Sequence, residues 1–169
     1  VVKGKAEIPQ ELSEFSSHIA QNGDKKSYSF EWTDKDYKKS ISLSCDDEGR
    51  INSYYNYSFE MSEKKLSKIS KNEIIAYAQA FLKKTVPEAF ENEKDLLVYD
   101  KKSYNARGNL RYTLTFNRMR NSIPVKDNNA NITLCIADDK IYVRDMSVSF
   151  NYDAQFDDGS EIENFKEKY

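Results

Sequence analysis

The chain has 169 residues, of which 38% are hydrophobic and 32% charged, with 26 bases almost balancing 28 acids. That is enough apolar material for one medium domain or two small ones, and the near-neutral balance gives no bulk pull towards nucleic acid or an anionic membrane. No apolar run approaches the roughly eighteen residues of a membrane-spanning helix, and two cysteines outside any CxxC pair, with His18 as the lone histidine, exclude structural zinc and a disulfide scaffold.

The chain opens at Val1 without an initiating Met or a signal-peptide apolar region, which reads as an excerpt or a processed product. Ile8-Pro9-Gln10-Glu11 is expected to open a helix with proline in its first turn. Leu12, Phe15 and Ile19 would supply its apolar face, and Asn22-Gly23-Asp24 would end it. His18 then lies beside the stripe as a partly exposed helix histidine. Tyr28, Phe30 and Trp32 alternate with polar residues, the period of a strand with one buried face. Ile41, Leu43 and Cys45 alternate again. Asp46-Asp47-Glu48-Gly49 reads as a turn rather than a calcium loop, because alternating ligands and a downstream glutamate are missing, and residues 51–59 resume as an aromatic strand.

Residues 69–87 carry the clearest helical signal. Ser70 and Glu73 have the spacing of a capping box, Ile69 can staple onto Ile74, and Ile74, Ala78, Phe81, Leu82 and Thr85 draw one apolar stripe. Lys83 and Lys84 suit the C-terminal end of the dipole, and Pro87 stops the helix. A short helical piece is expected over 88–94, then strands at 96–99 and 112–116, a loop over 117–131 that includes Asn121-Ser122-Ile123-Pro124-Val125, and a strand over 132–136. In the last strand, 141–152, the apolar phase moves from Ile141 and Val143 to Met146, Val148 and Phe150, which predicts a β-bulge near Arg144. Ser160 and Glu163 form a second capping box, so a terminal helix is expected there.

The two halves repeat. Tyr28, Phe30 and Trp32 match Tyr112, Leu114 and Phe116; Ile41 and Leu43 match Ile132 and Leu134; Phe59 matches Phe150. On this alignment Cys45 takes the place of Ile136, and seven extra residues fall around Ile123-Pro124-Val125 in the second half. The pattern predicts an α+β fold with one helix packed on an antiparallel sheet in each unit.

The capped helix, the strand at 112–116, the Asn-Ser-Ile-Pro-Val segment and the strand at 132–136, in this order, resemble the YcdB/YcdC repeated-domain family. There a helix opening like ISKEEA is followed by an NGIPV-like loop and a hairpin with a D-x-x-G turn. Ser122 replaces the usual glycine, and the first half has no Ile-Pro-Val segment. The family is similar to PepSY domains, so the resemblance implies tandem PepSY-like units: a shorter one over 1–66, a fuller one over 67–156, and a terminal helix or following segment over 157–169. It also implies export to a Gram-positive envelope or the medium, and a role in binding or modulating a protein partner such as a secreted peptidase.

From the residues themselves, no nucleophile elbow, phosphate-binding glycine loop, HExxH or Ser-His-Asp set is present, so catalytic, metal and cofactor residues are not expected. The candidate partner-binding segment is Ile123, Pro124 and Val125, with Arg118 and Arg120 as a basic patch beside it, together with exposed sheet edges that can hold an extended chain. The alternatives are a cell-wall polysaccharide binder that stacks sugars on tyrosines or Trp32, and, further off, a wall-acting hydrolase.

Overall fold

The computed structural model describes residues 7–58, 69–90, 98–100, 111–120, 123–137 and 140–152. The elements in chain order are β1 (Glu14–Asn22), β2 (Lys25–Thr33), β3 (Ser40–Asp46), β4 (Ile51–Asn56), α1 (Lys71–Thr85), β5 (Val98–Asp100), β6 (Arg111–Arg120), β7 (Ile123–Ala137) and β8 (Lys140–Ser149). A 3-10 turn, Pro87–Phe90, follows α1.

The expected α+β arrangement of tandem PepSY-like units, each with a helix on its own sheet, is overturned. One antiparallel sheet of eight strands runs through both halves in the order β1-β2-β3-β4-β8-β7-β6-β5, and α1 is the one α-helix among the described residues. The seam is β4 against β8, where Ser53, Tyr54 and Tyr55 pair with Ser147, Met146 and Asp145. The helix expected from Pro9 onwards is instead a strand: only a turn at Gln10 and Glu11 precedes β1. Asn22 pairs with Lys25 across Gly23-Asp24, and Gly23 takes φ +62°, so a glycine-first two-residue turn closes a hairpin. That hairpin places Phe15 opposite Trp32 and Ile19 opposite Tyr28, long-range apolar pairs that outweigh the local helical spacing.

The helix α1 forms as its residues dictate. Ser70 Oγ accepts from the Glu73 amide at 3.2 Å while the Glu73 carboxylate accepts from the Ser70 amide at 2.7 Å. Ile74, Ala78, Leu82 and Thr85 are buried against the sheet, with Phe81 half-buried beside them. The Val86 amide reaches Leu82 O at 2.8 Å before Pro87 ends the helix. Below α1, one continuous core joins Ile41, Leu43, Ile51 and Tyr54 from the first half to Leu114, Phe116, Ile132, Leu134 and Met146 from the second.

The strand order is palindromic about the β4–β8 seam, and so is the register. Phe30 pairs with Leu43 as Leu114 pairs with Ile132, so Tyr28, Phe30 and Trp32 hold the places of Tyr112, Leu114 and Phe116. Bulged residues also correspond: Asn52 stands unpaired in β4 between partners of Ser44 and Cys45, and Arg144 does so in β8 between partners of Thr133 and Leu134. Leu43 and Cys45 therefore correspond to Ile132 and Leu134, two residues away from the alignment of Ile41 with Ile132 that similarity alone suggests. A local two-fold axis passes through the Tyr54–Met146 pair.

The 3-10 turn covers the start of the helical piece expected over 88–94, whose remainder lies outside the described residues. So do Phe59 and the helix expected from Ser160.

Candidate functional site: an open strand edge

The first strand ends the sheet. All nine residues of β1 are exposed, and its pairing with β2 is regular throughout. Because a two-residue turn makes the flanking Asn22–Lys25 pair a hydrogen-bonded one, bonded pairs alternate back along the hairpin. The amides and carbonyls of Phe15, Ser17, Ile19 and Gln21 therefore point away from β2, into solvent. These residues also turn their side chains to the same sheet face as Phe30 and Trp32. Phe15 lies 5.3 Å from Trp32 and 6.5 Å from Phe30 between ring centroids. Trp32 is buried, whereas Phe15 and Ile19 remain 57% and 61% exposed.

Edges of this kind are ordinarily protected by lysines, prolines or bulges. The sequence of β1, EFSSHIAQN, has none of the three, and Glu14 is its one carboxylate. An unpaired row of backbone donors and acceptors with an apolar shoulder can take up another extended chain. Sequence reasoning missed this strand. The available signal was the Asn-Gly-Asp turn between the alternation of Phe15, Ser17 and Ile19 and that of Tyr28, Phe30 and Trp32.

The residues singled out from sequence lie elsewhere. Ile123, Pro124 and Val125 begin β7 instead of forming a loop: Ile123 pairs with Arg120 and Pro124 with Met119, making a hairpin arm on the second half. Residues 118–128 of this arm stand where the first half has the loop 34–39, so the insertion is five residues rather than seven. Ile123 is 42% exposed. Arg118 sits at the register shift between Asn117 and Met119 and donates to the Asn151 carbonyl at 3.2 Å. Arg120 is in the strand, and its side chain lies outside the described atoms. Arg111, at the other end of β6, lies far from the Ile123 arm.

Other chemically suggestive groups resolve into structural roles. Asp46 Oδ1 accepts from the amides of Glu48 and Arg50 at 3.1 and 2.9 Å, and its Oδ2 meets Arg50 Nε at 2.7 Å. Arg50 also pairs with Glu48 and lies 4.5 Å above the Tyr152 ring. Asp46, Asp47 and Glu48 gather their carboxylates within 4.8 Å, with Gly49 at φ +79° closing the turn. Arg50 offsets part of that charge through its pairs with Asp46 and Glu48. Cys45 and Cys135 are both buried. Cys45 pairs with Ile51 on the core side, while Cys135 pairs with Arg111 and Tyr142 on the opposite face. Burial pushes the Cys135 thiol up, against the lowering influence of Arg111 and Arg144. His18 is an exposed strand residue opposite Ser29.

A cleft of about 760 Å³ lies beside α1, lined by Tyr54, Tyr77, Phe81, Ile141 and the Lys84–Glu7 pair, whose closest atoms are 3.6 Å apart. Burial raises the phenol of Tyr54 to about 12. No described helix is long and apolar enough to cross a membrane.

A family model described as the YcdB, YcdC repeated domain matches residues 4–143. No curated protein and no solved structure matches the chain.

Proposed function

The chain belongs to the YcdB, YcdC repeated-domain family, and from that premise we propose that it is a non-enzymatic binding module that takes up an extended segment of a protein partner along β1. One observation supports this above the others: a nine-residue edge strand, fully exposed and unprotected by lysine, proline or bulge, with Phe15 and Ile19 standing beside its outward amides. The incoming strand would bond to the backbone of Phe15, Ser17, Ile19 and Gln21 and lay alternate apolar side chains on the Phe15, Phe30 and Ile19 surface. We place the module outside the cell or on its surface, with a secreted peptidase, through an extended loop or pro-segment, as the partner class. The Ile123-Pro124-Val125 arm ranks second as a docking element, because Ile123 and Pro124 are already paired with β6.

Ser17→Pro separates the readings. Its amide faces away from β2, so proline removes one outward donor and leaves the hairpin's own bonds in place. Peptides selected by display against the wild-type chain should bind Ser17→Pro at least about tenfold more weakly, the scale of one lost hydrogen bond in a docked strand. The same peptides should slow hydrogen exchange at Phe15, Ser17 and Ile19. Undiminished binding to a folded Ser17→Pro chain would refute the edge as the site.

A further inference from the structure

We propose that the cleft beside α1 is a ligand site for an apolar molecule bearing one carboxylate. It opens where the seam between the halves ends: in this direction β4 and β8 pair no further than Tyr55 with Asp145, and Asn56 and Val143 beyond them line the opening. Tyr77, Ala80, Phe81 and Lys84 of α1, spaced three and four apart on one helix face, close it from above. At about 760 Å³ it lies within the size range of small-molecule sites. Its floor is apolar, with Ile41 and Val143 buried and Phe81 and Ile141 half-buried.

One polar group in this floor is left incomplete. Tyr54 lines the cleft and is 5% exposed. Asn56 Oδ1 accepts from the Ser58 amide at 2.9 Å and from the Ser58 hydroxyl at 2.6 Å. The amide nitrogen of Asn56 is therefore what meets Tyr54, and the phenol oxygen accepts there. The phenol's own proton then has no acceptor among the described residues. A buried donor without a partner costs free energy that an incoming oxygen recovers. Tyr77, more exposed, offers a second hydroxyl on the same cleft.

The charges on the lining select the acceptor. They are Lys84, Lys140 and Glu7, two cations against one anion. Glu7 Oε1 lies 3.6 Å from Lys84 Nζ, and both side chains reach solvent, so the pair holds weakly. Burial comes first in raising the phenols of Tyr54 and Tyr77, and the Glu7 carboxylate adds to the rise at each. A negative charge at this position is thus felt by both phenols, and Glu7 occupies the place that an anionic head would take. A ligand carboxylate displacing it would gain the Lys84 ammonium and the Tyr54 proton together, while its apolar body covers Ile41, Phe81 and Ile141. A neutral ligand forgoes the cation, and an ammonium is repelled by it. The site lies apart from the β1 edge and goes beyond the strand-docking reading.

The test is calorimetric titration of the intact chain with octanoate and hydrocinnamate, each beside the alcohol and the amine of the same skeleton, and with a short peptide ending in Leu-Phe, as the free acid and as the amide. At least one free acid should bind with Kd below about 1 mM, with its uncharged counterpart roughly tenfold weaker and the amines not bound. Binding of octanoate or hydrocinnamate identifies a small molecule as the source of the carboxylate; binding of the peptide acid alone identifies a chain terminus. Tyr54→Phe and Lys84→Gln should each weaken the acid roughly tenfold while the far-ultraviolet circular dichroism stays unchanged. Glu7→Gln should tighten it a few-fold, because the competing carboxylate is gone. Ser17→Pro should bind the acid as wild type, so failure at this cleft and failure at the β1 edge are told apart. Absence of binding by every acid, equal affinity for an acid and its uncharged counterpart, wild-type affinity in both Tyr54→Phe and Lys84→Gln, or unchanged affinity in Glu7→Gln would each overturn the proposal.

Discussion

Tyr54 packs on Phe81 with ring centroids 5.3 Å apart and is 5% exposed, so its phenolate would form in a place that water barely reaches. Desolvation pushes its pKa up to about 12, against a smaller lowering by the Asn56 hydrogen bond. Tyr152 is likewise pushed to about 12 by burial, although Arg50 lies over its ring and lowers it. A neutral acid held above its unfolded value of 10.0 contributes stability that is complete below pH 10 and disappears as pH rises through that value towards 12. Among the described tyrosines, Tyr54 and Tyr152 should therefore titrate last by ultraviolet difference spectroscopy, with Tm falling across the same window. Tyr54→Phe should remove one of the two late-titrating groups. Sequence alternation does not separate Tyr54 from Tyr55: the adjacent tyrosines face opposite sides of the sheet, and only α1 decides which side is dry.

At the scale of elements, α1 was legible down to its cap, because a helix writes its start, stripe and stop into contiguous residues. Glu73's carboxyl is drawn below its ordinary value of 4.5, first by the Ser70 hydroxyl and then by the Ser70 amide. The carboxylate's share of the capping box is present above that value and fades as pH falls below it. Ser70→Ala should cost about 1 kcal/mol at neutral pH in urea denaturation, and less below pH 4 or so. The first strand was not legible. Leu12, Phe15 and Ile19 satisfy a helical period, and what overrides it is pairing with Tyr28, Phe30 and Trp32 across a turn. The loop expected around Ile123 is a strand for a related reason. A proline reads locally as a loop marker, yet Pro124 is accommodated in β7 close to the hairpin tip.

For the whole molecule, the internal repeat was visible and its outcome was not. Periodicity tells which residues face a core, but β4 and β8 each read as the last strand of a separate unit, and nothing local says that they pair with one another. Their pairing makes one sheet and one core, with Tyr54 and Met146 in contact across the seam and Thr85 of α1 within 3.7 Å of the Met146 sulfur. Heating should accordingly give a single calorimetric transition whose van't Hoff and measured enthalpies agree; two resolved transitions would show that the halves melt independently.

The axis through Tyr54 and Met146 also bears on ancestry. A half-length chain with this register would present a fourth strand complementary to itself, and two copies would close into an isologous dimer without further invention. Joining the copies end to end converts an encounter that depends on protein concentration into one set by the length of the tether. Each copy is then free to diverge, one lengthening an arm while its twin keeps a bare margin.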